Sequence, residues 1–280
     1  MSAGKGPRPL DGVLVVTLEH AIAAPLATRH LADLGARVIK IERPGTGDFA
    51  RHYDTRTRGL SSHFVWTNRS KESVTLDLQK PEARGVLRRL LAKADVLVQN
   101  LVPGGAARLG LSAEALRPDF PRLIVCDISG YGRGGPYGGK KGYDLLIQAE
   151  AGVLSVTGTN AERAKAGIPV ADIAAAMYAY SCILAALIQR EKTGSGCSID
   201  VSLFESLGEW MGFPMYYSYD GAPPPERTGM SHPSVFPYGP FMAGDGKEVF
   251  LGLQNEREWT TFCERVLEKP DLASDARFCS

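Results

Sequence analysis

Residues 167–188 read GIPVADIAAAMYAYSCILAALI. One acid, Asp172, opens a long apolar, alanine-rich run, and the next charged residue is Arg190. Two chemistries fit. A carboxylate at a helix start accepts backbone N–H bonds and complements the helix dipole, an effect of roughly 0.5–2 kcal/mol. The same carboxylate, kept ionised by that helix start, suits a nucleophile if Ala174, Ala175, Ala176 and Ala179 clear space for a large substrate. Tight helix–helix packing is the competing explanation of the alanines.

Asp144, in KKGYDLL, has a plain reading as a helix cap. ERPGTGD (42–48) follows a strand and carries Arg43, with Arg51 just beyond. A surface turn and a phosphate contact by an arginine fork are equally compatible with it, and it lacks the GK[ST] ending of a P-loop. Gly130, Gly132 and Gly135 form a literal GxGxxG, with Glu150 twenty residues on. A dinucleotide site needs a helix opening at the third glycine. Pro136, Tyr137, Gly138 and Gly139 follow instead, so a flexible active-site loop is the better reading. The histidines (His20, His30, His52, His63, His232) make no HExxH pattern, and there is no GxSxG elbow. No metal centre and no serine-hydrolase site is expected.

The elements that must position these groups alternate. Strands are expected at 12–18, 37–42, 72–78, 95–100, 122–129 and 197–203, with helices at 25–36, 81–94, 112–118, 143–152 and 172–192 and another running to about 218. That order predicts an α/β fold, a parallel sheet covered by helices as in Rossmann-like domains. The large domain is expected over 1–218, a Pro/Gly-rich linker over 219–237, and the start of a smaller α+β domain over 238–280. In that last part a hairpin turns at Asp245-Gly246, and Asn255 caps a helix over 255–268.

A net charge of +1 gives no global attraction to nucleic acid or anionic membranes, and no basic–aromatic interleaving suggests a nucleic-acid surface. Cys126, Cys182, Cys197, Cys263 and Cys279 have no CxxC spacing, which reads as reduced thiols in a cytoplasmic protein. The start MSAGKGPRPLDG shows no secretory h-region, and the apolar run 173–188 is short for a membrane span.

PLDGVLVVTLEHAIAAPLATRHLADLGARVIKIERPGTGD, ADVLVQNLVPGGAARLGL, LIVCDISGYGRGGPYGGKKGYD, GIPVADIAAAMYA and ALIQREKTGSGCSIDVSLFES occur in this order. Together they resemble the class III CoA-transferases, the family that includes formyl-CoA transferase and crotonobetainyl/carnitine CoA-transferase. The likeness covers nearly all of residues 9–280. It implies that Asp172 is the catalytic nucleophile and that Asp144 is a carboxylate assisting turnover. It also implies coenzyme A contacts at Ala21, Ile22, Ala23, Arg43, Leu76, Asn100, Leu101, Arg108 and Lys141. Gln79 stands where some members have lysine.

The resemblance implies acyl-CoA and a small carboxylic acid as substrates, with no permanently bound cofactor, and a homodimer of interlinked rings. α-Methylacyl-CoA racemases share the fold but carry histidine where this chain has Tyr143, a poorer proton shuttle near neutrality. TGMSHPSVFPYGPF resembles members that use dicarboxylic acids. Related proteins continue well past residue 280, so a fragment, and with it a non-catalytic CoA-binding module, is a further expectation.

Overall fold

A computed structural model describes residues 6–278; Cys279 lies outside the described residues. Along the chain the elements are β1 (Leu14–Leu18), α1 (Ala23–Asp33), β2 (Arg37–Glu42), α2 (Ser62–Asn68), β3 (Lys71–Thr75) and α3 (Pro81–Leu91). Next come β4 (Val96–Gln99), α4 (Gly105–Arg108), α5 (Ala113–Leu116), β5 (Ile124–Ser129), α6 (Asp144–Glu150) and α7 (Val153–Val156). The remainder is α8 (Val170–Thr193), β6 (Ser198–Ser202), α9 (Leu203–Trp210), α10 (Gly212–Tyr217), β7 (Tyr238–Met242), β8 (Glu248–Gly252) and α11 (Glu256–Arg265).

The chain forms two compact units. The first runs to Gly152 and resumes over Ala166–Gly212. Its six strands are ordered β3-β2-β1-β4-β5-β6, and every neighbouring pair is parallel. This is the doubly wound arrangement expected from the alternation of strands and helices. The order reverses between β1 and β4, which opens a crevice at the carboxyl ends of those two strands.

Side chains alternate across the sheet. Val16, Leu18, Ile39, Ile41, Leu97 and Val125 pack on one face with Leu87 and Leu91 of α3 and with Ala113 and Leu116 of α5. α1 and α8 cover the other face, packed against each other and against the strands. α8 is long and apolar enough to cross a membrane by length and composition, but Ala171, Ala174, Ala175, Ala176, Ala179 and Ile183 are completely buried in this fold. Local signals match the ends of the elements. Pro81 and Glu82 start α3, and Gly194, with φ 73°, ends α8 by donating to the Arg190 carbonyl at 2.8 Å.

The second unit comprises Val153–Lys165 and the chain from Phe213 onward. Arg227 donates to the carbonyls of Thr159 and Asn160 at 2.8 and 3.3 Å, joining its two segments. β7 and β8 form the expected hairpin, with Asp245 accepting the Lys247 N–H in the turn. Asn255 caps α11 through the Glu258 N–H at 3.0 Å, and Glu258 in return accepts the Gln254 N–H at 2.8 Å.

Several elements differ from expectation. The helix expected over 143–152 stops at Glu150, and the one expected to run to 218 is split into α9 and α10. α2, α4 and the 3₁₀ turns Phe49–His52 and Pro270–Ser274 are additional. They are too short for a hydrophobic period to announce.

Candidate active site

Three helix starts meet at Asp172. It is the third residue of α8 and not its cap, which is Pro169. Ala23, the first residue of α1, directs its backbone N–H at the Asp172 carboxylate. Asp144, the first residue of α6, accepts the Ala171 N–H on Oδ1 at 2.8 Å. Its Oδ2 accepts from Gln148 Nε2 at 2.6 Å. Asp144 therefore does cap a helix, but the helix is α8.

Asp172 is half-buried. Burial, and then the negative charge of Asp144, push its pKa up to about 7 against the pull of the Ala23 N–H. Its helix start therefore does not hold its pKa at the ordinary carboxylate value. Desolvation and a like charge outweigh the dipole here.

The alanines are also corrected. Ala174, Ala175, Ala176 and Ala179 are fully buried, so they clear no space for a substrate. Their small side chains let α1 and α8 pack closely, and this brings the Ala23 amide to Asp172.

Beneath α1 lies a buried ion cluster. Lys40 Nζ donates to Asp48 Oδ2 at 2.6 Å and to Asn68 Oδ1 at 2.8 Å. Lys71 Nζ donates to Glu19 Oε1 at 2.6 Å, and burial pulls its pKa down to about 8. Glu19 Oε2 accepts from the hydroxyls of Thr17 and Thr28, each at 2.7 Å. Asp48 Oδ1 also takes the N–H groups of Ala21 at 3.1 Å and Ala50 at 2.9 Å. Ala21 needs that hold, because its φ of 61° lies in the left-handed region that alanine disfavours.

Asn100 completes the loop after β1. Its amide accepts the His20 N–H and donates to the His20 carbonyl, both at 2.9 Å. Ala21, Ile22, Ala23 and Asn100 are thus gathered at the β1/β4 crevice, with Ala23 reaching Asp172. Arg43, Arg108 and Lys141 are exposed and make no ion pair with a described residue. Leu76 follows β3 instead of lying within it and packs against the apolar cluster. Leu101 lines a cleft of about 310 Å³ with Gln99, Asp127, Arg133 and Asp200, a cleft that does not include Asp172.

Arg51 is not available to a phosphate. Its Nε and Nη2 hold both Glu42 oxygens at 2.9 and 2.7 Å, and its guanidinium lies 3.9 Å from the Phe64 ring centre. The glycine-rich segment is a loop, as expected from its lack of a helix at Gly135. A Cβ on Gly130 or Gly142 would lie within 2.7 Å of the other's backbone, so the loop is closed at its base by two glycines that tolerate no side chain.

Sequence reasoning missed Asp48, Lys40, Gln148 and Tyr53. The signal for the cluster is Lys40 inside RVIKIE, a charge in a strand otherwise fit for burial on both faces. Tyr53 ends a 3₁₀ turn. Burial first, then the charges of Asp48, Asp172 and Tyr143, raise its phenol pKa, so it feels the charge of the nucleophile candidate.

The description CoA-transferase family III matches residues 10–280. The chain is 36% identical over 278 residues to the human succinyl-CoA:glutarate CoA-transferase, covering 97% of this chain and 62% of that protein. It is 36% identical to the acetyl-CoA:oxalate CoA-transferase of Acetobacter aceti, covering 96% of this chain and 69% of that one. A crystal structure of a CAIB/BAIF family protein from Brucella suis superposes with a TM-score of 0.85 at 35% identity, covering 98% of this chain and 74% of that one. The chain thus spans about 62% of the length of its human relative. With a matching profile over almost its whole length and the parallel sheet to go with it, the chain belongs to CoA-transferase family III.

Proposed function

We propose that this protein moves coenzyme A from an acyl-CoA to a dicarboxylic acid through covalent intermediates on Asp172. The observation that carries the reading is the setting of that carboxylate: half-buried, in reach of the Ala23 N–H, and beside Asp144. An Asp172 oxygen attacks the thioester carbonyl and expels CoA thiolate, leaving a mixed anhydride. A serine ester would lose much of the thioester's reactivity, whereas an anhydride keeps it. The thiolate then attacks the aspartyl carbon, releasing the donor acid and leaving an aspartyl-CoA thioester. The acceptor carboxylate attacks this thioester, forming a second anhydride and freeing thiolate again. Attack of that thiolate on the new acyl carbon gives the product thioester and restores Asp172.

Ala21, Ile22, Ala23, Arg43, Leu76, Asn100, Leu101, Arg108 and Lys141 are assigned to CoA, and Asp144 to assisting turnover. A dicarboxylic acid is favoured because the human relative is a succinyl-CoA:glutarate CoA-transferase. The working form is proposed to be a homodimer in the cytoplasm. The test is incubation with succinyl-CoA and a panel of acids, following new thioesters by mass spectrometry. A new thioester with a dicarboxylate supports transfer, and none with any acid contradicts it.

One observation favours a second reading. A carboxyl that titrates near neutrality also suits a proton carrier, as an acyl-CoA racemase requires. Exchange of the α-proton in heavy water without an acceptor acid would select that reading.

A further inference from the structure

Gln148 has no role in the chemistry set out above, yet both ends of its amide are hydrogen-bonded and one of them holds Asp144. It is fully buried. Its Nε2 donates to Asp144 Oδ2 at 2.6 Å, and its Oε1 accepts the Ala166 N–H at 2.9 Å. The amide therefore has a fixed orientation, with oxygen toward the segment that enters α8 and nitrogen toward Asp144. The other Asp144 oxygen accepts the Ala171 N–H. Asp144 is thus held by N–H donors on both oxygens. Asp172 has one such donor, Ala23, and is desolvated.

We propose that Gln148 is a positioning residue that fixes the Asp144 carboxylate beside Asp172 and so sets the proton affinity of Asp172. By donating to Asp144 it holds that negative charge where it opposes ionisation of Asp172. This deepens the CoA-transfer reading by assigning the acid–base state of the same site. Two carboxyls set apart by their environments divide their roles in this way. A further titratable group whose charge interacts with Asp172 is Tyr53, from the turn after β2, on which Asp48 and Tyr143 also act. Among the described residues, none of these groups hydrogen-bonds or ion-pairs with Gln148.

The test is direct titration of the aspartate carboxyls by carbon-13 NMR in the free protein, independent of turnover, with Asp172 assigned by Asp172→Asn. Gln148→Met keeps length and volume but removes the donor. Its expected effect is a fall of roughly one pH unit in the Asp172 midpoint, because the Asp144 charge is no longer held beside it. If Gln148→Met does not fold, Gln148→Asn withdraws the amide by one methylene and shifts the midpoint in the same direction by less. An Asp172 midpoint unchanged in the folded variant overturns the proposal, because a merely structural glutamine lowers stability without moving it. Failure of the CoA-transfer reading would appear separately, as absence of product thioester in a wild-type protein whose Asp172 still responds to position 148.

Discussion

Asp144 Oδ1 accepts the Ala171 N–H at 2.8 Å, so a carboxylate at the start of one helix caps the next, one residue before Asp172. One contact thereby does two things. It satisfies a backbone donor in the first turn of α8, and it holds a negative charge where it raises the proton affinity of Asp172. The small residues that bring α1 and α8 together supply the opposing influence, the Ala23 N–H.

Attack on a thioester needs Asp172 ionised. The kcat/KM for CoA transfer is therefore expected to rise with pH through about 7 and then level off. Asp144→Asn retains an acceptor for Ala171 but removes the charge. Its acidic limb should lie at lower pH by roughly one unit, as measured by a pH–rate profile on substrate-saturated and dilute enzyme. A limb that stays in place contradicts the coupling.

The same shift predicts a stability change. A carboxyl whose folded pKa is raised lets the native state hold a proton that the unfolded chain releases. Stability is then lost as pH rises from about 4, its ordinary value, to about 7. Asp172→Asn removes that loss. Discounted for the partial exposure of the group, it should stabilise the protein by roughly 2 kcal/mol at pH ~8 and have little effect at pH ~3.5. Urea denaturation at the two pH values checks this.

Glu42 has the opposite sign. Although burial opposes ionisation, Arg51, Ser73 and the Asp48 N–H together pull its pKa down to about 2 from 4.5. Its contribution is present above 4.5 and is lost as pH falls toward 2. Glu42→Gln should cost about 3 kcal/mol at neutral pH, with the difference from wild type shrinking at pH ~3. Denaturation midpoints in the two conditions measure it.

Asn100 holds the loop after β1 through two hydrogen bonds to the His20 backbone. Asn100→Leu should loosen Ala21–Ala23 and raise the KM for acyl-CoA about tenfold, equivalent to ~1.4 kcal/mol of binding. Thermal stability should change little. Steady-state kinetics against acyl-CoA concentration, with a melting curve, separate the two effects.

The sheet was legible because its strands are short apolar runs separated by helices with ordinary start and stop residues. Asp172 stood out as a lone acid in an apolar run, and Asp144 as a helix-start acid. Their joint setting was not legible. The charge on Asp172 depends on Asp144, twenty-eight residues earlier in sequence, and on an amide contributed by α1. The alanines were ambiguous because an Ala-rich face serves substrate access and helix packing equally, and only burial distinguishes them. Arg51 stayed open between a surface turn and an anion contact because its partner Glu42 is recruited by a turn that leaves no periodic signal.

The claim on which the rest depends is that Asp172 itself carries the acyl group and CoA. Wild-type protein incubated with succinyl-CoA, quenched with hydroxylamine and digested, should yield the peptide containing Asp172 with that aspartate converted to a hydroxamate, detected by mass spectrometry. Asp172→Ala should bind CoA, melt as a folded protein, show no hydroxamate and transfer no CoA. A hydroxamate at any other residue, or CoA transfer retained in Asp172→Ala, contradicts the account.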